Sequence, residues 1–264
     1  MAINVSEVSS MIGQRVAVSL RDVSKQYTGG TWALQGVNMT VREGEFISLL
    51  GPSGCGKSTV LRTVAGLQTA TAGSVEILGS SVNAIKERPG EIAFVFQEPT
   101  LMPWRSVLAN VGLPLELMGV PRVERRERSL QMLEMVGLQS VANKLPRQLS
   151  GGMKMRVSIA RALVSKPKLL MLDEPFAALD EITRQRLHEE LLKLWERFGM
   201  TVLFVTHNVF EAVYLSSRVI VMQSNPGRIR TELKVSAAYP RKRDMLSDSE
   251  FSSTIAQAIK LLEE

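Results

Sequence analysis

The stretch Phe46–Thr59, FISLLGPSGCGKST, decides how this chain folds. A short apolar run, Phe46–Leu50, feeds directly into a glycine loop, Gly51–Thr59, and Ser58–Leu67 can continue as a helix. That strand–loop–helix order is the context a phosphate-binding loop requires. Gly51, Gly54 and Gly56 let backbone N–H groups turn inward around phosphate oxygens, where bulkier side chains would obstruct them. Pro52, Ser53 and Cys55 complete the loop. Lys57 is placed to neutralise β- and γ-phosphates, Ser58 to ligate Mg²⁺ and Thr59 to donate its hydroxyl to a phosphate. The helix that follows offers its positive N-terminal end.

Further apolar runs at Ile92–Phe96, Leu169–Leu172, Val202–Val205 and Val219–Met222 read as buried strands, and Val16–Leu20 alternates like a half-buried one. Two of these runs end in chemistry. Asp173 and Glu174 follow LLML, at the carboxyl end of a central strand, where open α/β sheets place ligands. Asp173 is expected to hold Mg²⁺ through water and Glu174 to orient and deprotonate the attacking water; phosphoryl transfer needs little more than such positioning and charge neutralisation. His207 ends TVLFVTH, where it can donate to a γ-phosphate and help place Glu174. His188, in the charged segment RLHEELLKLWER, reads as a helix-surface residue.

Between Val107 and Leu163 no convincing strand occurs. Leu/Met/Glu/Arg-rich helical segments are broken there by Pro114, Pro121 and Pro146. The stretch reads as a helical subdomain, about residues 98–165, inserted into an α/β core. After Pro240 the chain becomes a tail. Ser247 and Glu250 resemble a capping box, opening a last helix with Phe251, Ile255, Ile259 and Leu262 on one face.

Bulk properties exclude several classes. At 264 residues the chain can bury roughly 70–75% of its unfolded surface, enough for one large core with a subdomain. No apolar run approaches the ~18–20 residues of a membrane span. The N-terminus, MAINVSEVSSMIGQ, lacks the basic start and apolar centre of a secretory signal. The single cysteine, Cys55, has no partner for an internal disulfide, which suits a reducing cytosol. The net charge is +6, yet the basic residues are dispersed. One cluster, Arg122–Arg128, alternates with glutamates like a solvated helix face. The other, Arg241–Arg243, is expected to be able to touch acidic headgroups. Neither is accompanied by an aromatic platform or a zinc-finger spacing, so nucleic acid is not expected as a partner.

The segment Leu149–Arg156, LSGGMKMR, lies between the glycine loop and LLMLDEP. With it, the ordered set Tyr27, Gly51–Thr59, Gln97, Leu149–Gly152, Leu169–Glu174, Ala178–Asp180 and His207 resembles the ABC ATPase family from residue 15 to about 235, leaving 236–264 as a tail. The resemblance implies a RecA-like P-loop NTPase core carrying an antiparallel β subdomain and the inserted helical subdomain. It also implies ATP and Mg²⁺ as cofactors and ATP hydrolysis as the activity. Tyr27 would stack on adenine, Gln97 would link γ-phosphate and Mg²⁺ to a transmembrane partner, and Asp180 would belong to a loop crossing a dimer interface. Subunits of the family pair head to tail, so a homodimer, or a pair with a related ATPase subunit, is expected in the ATP-bound state. Ser150 can cap a helix whose Gly151 and Gly152 permit close approach, an anion site with nothing on its own chain to bind. Further implied partners are transmembrane permease subunits and, indirectly, an extracytoplasmic solute-binding protein; the implied location is the cytoplasmic face of the inner membrane. The family commonly has glutamine where Met153 and Met155 stand, so one polar contact to the opposing ribose is lost.

Three segments, PTLMPW at Pro99–Trp104, NPGRI at Asn225–Ile229 and the tail YPRKRD…SEF, resemble the nitrate, sulfonate and taurine importer branch. The solute itself stays open on these grounds, with bicarbonate, a pyrimidine precursor, a lipid or a metal as alternatives. A soluble ABC ATPase acting on DNA or ribosomes is the rival class; such proteins usually carry two fused cassettes or a long coiled coil. A non-enzymatic ATP switch would not need Glu174. Met102, Pro103 and Trp104, rimmed by Glu98 and Arg105, read as an exposed apolar docking groove for a partner's short helix.

Overall fold

The computed structural model describes residues 15–241 and 249–263. The N-terminal stretch in which no secretory signal is expected, Ser247 of the expected capping box, and Lys242 and Arg243 lie outside the described residues. In chain order the strands are β1 (Val16–Gln26), β2 (Trp32–Arg42), β3 (Phe46–Leu50), β4 (Ala72–Ile77), β5 (Ser80–Ser81), β6 (Ile92–Val95), β7 (Leu169–Asp173), β8 (Thr201–Thr206), β9 (Arg218–Gln223) and β10 (Arg228–Lys234). The helices are α1 (Lys57–Val64), α2 (Val82–Lys86), α3 (Val107–Val111), α4 (Leu113–Leu117), α5 (Arg122–Met135), α6 (Gly151–Leu163), α7 (Glu181–Phe198), α8 (Val209–Leu215) and α9 (Ser249–Glu263).

Two sheets organise the molecule. A six-stranded sheet runs β10-β9-β3-β8-β7-β6, parallel except for β10. A four-stranded antiparallel sheet runs β2-β1-β4-β5. The parallel strands are buried on both faces, which explains their unbroken apolar runs. Their side chains still alternate. Phe46, Leu50, Leu170, Leu172, Val202 and Phe204 join a core that includes the helical segment 107–163, α7 and α8. Ile47, Leu49, Met171, Leu203 and Val205 join another with α1 and the antiparallel sheet.

Every strand expected from an apolar run is present. The sequence reading did not single out β2, β4, β5 and β10, whose exposed and half-buried residues dilute the pattern. Between 107 and 163 the described structure is helical, and the prolines sit where helices start: Pro114 inside the first turn of α4, Pro121 capping α5 and Pro146 opening a 3₁₀ turn. Among the described residues no helix is long and apolar enough to cross a membrane.

Three expectations are corrected. His188 is not on a surface: it is 1% exposed, with Phe176 and Tyr214 against its ring. Of the charged residues around it, Arg186 is exposed and Arg184, Glu189 and Glu190 are half-buried, but position 188 falls on the core side of α7. Arg241 is also buried, donating to the carbonyls of Val213, Tyr214 and Ser216 at the end of α8 and stacking on Tyr239. It is therefore not a headgroup contact. On α9, Phe251, Ile255 and Leu262 do pack on the core, but Ile259 is exposed and Ala258 takes the buried position beside them.

Candidate active site

The carboxyl ends of β3, β7 and β8, neighbours in the sheet, bring the sequence-predicted residues together. β3 ends at Leu50 and the glycine loop turns the chain into α1. Two glycines are required by close approach. A Cβ on Gly51 would stand 2.7 Å from the Met222 carbonyl oxygen, and one on Gly56 2.8 Å from that of Ala33. Gly56 also has φ +94°, in the left-handed region. As the residue before α1 it has no side chain with which to cap the helix, so the first-turn N–H groups stay available to an anion.

Lys57 Nζ folds back under the loop, donating to the carbonyls of Gly51 at 2.8 Å and Pro52 at 2.9 Å. It lies 3.8 Å from Glu174 Oε1. Ser58 Oγ donates to Asp173 Oδ1 at 2.6 Å, and Arg62 Nη2 is 3.6 Å from the other Asp173 oxygen. Burial raises the Asp173 carboxyl above its ordinary value, with Ser58 and Arg62 pulling the other way. Glu174 stands just past β7 with φ +45°, uncommon for a non-glycine residue. Its N–H is fixed to the Val205 carbonyl at 3.0 Å, and its Oε2 meets His207 Nδ1 at 2.9 Å.

A cleft of about 500 Å³ opens over the loop, lined by Tyr27, Ser53, Gly54, Gly56, Lys57, Ser58, Thr59, Gln97 and Glu174. Tyr27 is partly exposed, with its hydroxyl 3.3 Å from Thr59 Oγ1. Hydrogen bonds to Thr59 and Gln68 hold its phenol below the usual value. The Cys55 side chain instead enters the core, fully buried, and desolvation raises its thiol. The Cys55 N–H donates to the Pro52 carbonyl at 3.3 Å and shapes the loop.

Ser150, Gly151, Gly152 and Asp180 do not line this cleft. Ser150 caps α6, its Oγ accepting from Met153 N at 3.3 Å, and is exposed. Asp180 caps α7 through Thr183 N at 3.0 Å, a bond that lowers its carboxyl. The two caps adjoin, because a Cβ on Gly152 would meet Thr183 Cγ2 at 2.7 Å. Met155 is buried, whereas Met153 is half-buried.

Sequence reasoning missed five contributors. Trp32 and Asn225 also line the cleft. Trp32 pairs with Gln26 beside Tyr27. The NPG turn was singled out, but not as a wall of the site; a Cβ on Gly227 would fall 2.4 Å from the Cys55 carbonyl oxygen, so the turn abuts the phosphate loop. Arg161 on α6 donates to the carbonyls of Pro99 and Thr100, both at 2.9 Å, and burial lowers its pKa. Asn110, buried, donates to the carbonyls of Met102, Arg105 and Ser106 and accepts from Met102 N. Together they fasten the loop after Gln97. Only a polar residue inside an apolar helix, as in VLANV, could have signalled Asn110.

Residues 34–177 match the family described as ABC transporter. An uncharacterised ABC transporter ATP-binding protein of Methanocaldococcus jannaschii is 44% identical over 258 residues, covering 96% of this chain and 95% of that one. An aliphatic sulfonates import ATP-binding protein of Pseudomonas syringae pv. tomato is 48% identical over 226 residues, 86% of this chain and 90% of its own. A taurine import ATP-binding protein of Shigella sonnei is 42% identical over 229 residues, 84% and 88%. Among solved structures, a dimeric ATP-binding cassette in a post-hydrolysis state with ADP and Pi superposes with a TM-score of 0.74 at 39% identity, over 83% of this chain and 98% of that chain. The chain belongs to the ABC transporter family, as an ATP-binding and ATP-hydrolysing subunit.

Proposed function

We propose that this subunit energises an importer of a small anionic solute of the sulfonate, taurine or nitrate kind. The observation that carries its chemistry is the convergence of Lys57, Ser58–Asp173 and Glu174–His207 at one edge of the parallel sheet. The named sulfonate and taurine import relatives support the class of solute.

The donor set fits Mg²⁺. Ser58 Oγ and Asp173 Oδ1 are hard oxygens 2.6 Å apart, beside the cleft that would receive the phosphates. Among the described residues no group of three or more His, Cys, Asp or Glu forms a metal cage; a small cation that takes one or two protein oxygens plus phosphate suits such a site. Ser58, Asp173 and Gln97 would hold it, and bound there it supplies neutralisation of phosphoryl charge. The loop N–H groups and Lys57 hold the phosphates in place. Glu174, presented by a strained backbone and held by His207, orients a water and takes its proton as the oxygen attacks the γ-phosphorus; the bond to the β-phosphate oxygen breaks and ADP departs. Tyr27 and Trp32, exposed residues of the cleft wall, would receive the base.

Ser150, Gly151, Gly152 and Asp180 would serve the nucleotide of a second copy, since they do not line the cleft of their own chain. The docking partner would be a permease at the cytoplasmic membrane face. Trp104 is 74% exposed, next to a cavity of about 510 Å³ lined by Arg105, Arg122, Arg125 and Arg126. The unit at residues 15–235, with its helical insertion at about 98–165, would form the ATPase domain and 236–264 its tail.

The test is uptake by vesicles carrying the subunit with its cognate permease and binding protein. ATP-dependent accumulation of a labelled sulfonate, taurine or nitrate is expected. ATP hydrolysis coupled only to an uncharged or cationic solute would overturn the anionic assignment.

A further inference from the structure

His188, Glu211 and Thr206 form a buried polar chain directly behind the catalytic pair, and each is at most 4% exposed. His188 Nε2 lies 3.3 Å from Glu211 Oε1. The other Glu211 oxygen accepts from Thr206 Oγ1 at 2.5 Å. Thr206 Oγ1 in turn accepts from Asn208 N at 3.0 Å, and Asn208 Oδ1 accepts from Glu211 N at 3.2 Å. Both neighbours of His207 are therefore tied to Glu211, Thr206 through its carboxylate and Asn208 through its backbone N–H. The other side of the His188 ring meets Phe176, two residues beyond Glu174, edge-on at 5.0 Å.

A core position on α7 gains more from leucine than from imidazole, because buried polar groups forfeit hydration. The polar chain therefore calls for an explanation beyond packing. Its geometry offers one. His207 is 58% exposed, so its ring is held only by the turn that carries it and by Glu174. That turn is held in place by Thr206 and Asn208, both are bonded to Glu211, and His188 holds the Glu211 carboxylate from the other side. We infer that His188, Glu211 and Thr206 are positioning residues that fix His207 against Glu174, so that ATP turnover, but not ATP binding, depends on a histidine inside the core. The inference rests on Glu174 and His207 being the hydrolytic pair.

ATPase kinetics and equilibrium binding of a fluorescent ATP analogue, on the full chain, test it. His188→Leu is expected to lower kcat by about tenfold to a hundredfold, as small misplacements of reacting groups do, with KM and binding within about threefold of wild type. His188→Gln, which keeps a donor toward Glu211, restores most of the loss. Thr206→Val, which removes the hydroxyl and keeps the shape, lowers kcat in the same direction. Turnover within about twofold of wild type in folded His188→Leu and Thr206→Val overturns the inference. So does a joint fall of binding, thermal stability and turnover that glutamine does not rescue, because that is a packing defect. If His188→Leu does not fold, His188→Gln and Thr206→Val decide by the same criteria. Wild-type turnover no faster than that of Glu174→Gln would overturn the hydrolytic pair itself, and the positioning role with it. Active wild type with indifferent His188 and Thr206 variants removes only the positioning role.

Discussion

The N-terminus of α1 and the N-terminus of α6, both proposed to meet a phosphate, are built in opposite ways. α1 begins at a glycine with no side-chain cap, and its surroundings are already complete: Lys57, Ser58, Asp173, Glu174 and His207 are bonded to one another or to the loop. α6 begins at a serine that caps its own helix, is exposed, and has only the Asp180–Thr183 cap beside it. On the proposed reading, one region carries the reacting groups and the other only a face. Loss of a group from the first should stop chemistry within a subunit; loss from the second should spare that subunit and disable whatever copy it serves.

Glu174→Gln puts the heaviest load on this contrast. The amide keeps the shape and accepts no proton, and general-base removal costs ~10²–10⁴-fold in rate. ATP binding should persist, seen by equilibrium titration, while phosphate release in single turnover nearly stops and an ATP-bound dimer accumulates in gel filtration. Turnover near wild type would take the base role from Glu174. Ser150→Arg comes next. A bulky cation on the exposed cap should leave monomer ATP affinity unchanged yet lower steady-state turnover by roughly a hundredfold, since a misplaced neighbouring group costs on that order. Loss of monomer affinity in that variant would mean that Ser150 serves its own chain.

The two regions were unequally legible in the sequence. At the glycine loop, strand, turn and helix signals fall within Phe46–Thr59, and glycines are needed for local reasons that the residue type itself announces. Asp173, Glu174 and His207 were readable because each closes an apolar run, and a parallel sheet brings run ends to one edge. Helix faces were less legible. His188 sits among charged residues, and nothing nearby in sequence shows that Phe176, Tyr214 and Glu211, from 12 to 26 positions away, surround it. Arg241 reads as a headgroup contact for the same reason, though the carbonyls of Val213, Tyr214, Ser216 and Ala237 hold it. The antiparallel strands β4, β5 and β10 are half exposed, so their composition resembles that of loops.

Buried groups should also respond to pH in a way that exposed ones do not. Tyr239 donates to the Leu215 carbonyl at 2.9 Å under the Arg241 guanidinium, and burial pushes its phenol from 10.0 up to about 12. An acid whose folded pKa is raised loses its proton first in the unfolded chain. Stability is therefore complete below pH ~10 and falls as pH rises through that window. Two units correspond to roughly 3 kcal/mol at most. In Tyr239→Phe the alkaline loss, measured by urea unfolding at successive pH values, should shrink, although the lost hydrogen bond lowers the neutral-pH value by about 1 kcal/mol. Parallel pH profiles for wild type and Tyr239→Phe would show that another group dominates.

Trp104 tests the exposed side of the contrast with the smallest effect on the isolated chain. The sequence marks it as an apolar residue with no reason to be in water, and the structure leaves it 74% exposed. Its loop is tied down nonetheless: Asn110 and Arg161 bind the carbonyls around it, and Arg105 is paired with Glu116 at 2.9 Å. A large exposed indole on a hydrogen-bonded loop beside an arginine-lined cavity costs little backbone ordering when a partner covers it, the property of an interface anchor. Trp104→Ala should therefore change thermal unfolding of the isolated subunit by no more than about 0.5 kcal/mol, as surface substitutions do. Assembly with the membrane subunits should weaken by about 2 kcal/mol, roughly thirtyfold in affinity, as loss of a tryptophan anchor does. Titrating the subunit against the permease in detergent, alongside differential scanning calorimetry of the subunit alone, separates the two quantities. If the subunit loses several kcal/mol by itself, Trp104 belongs to its own fold; if assembly is unchanged, the docking face lies elsewhere on the molecule.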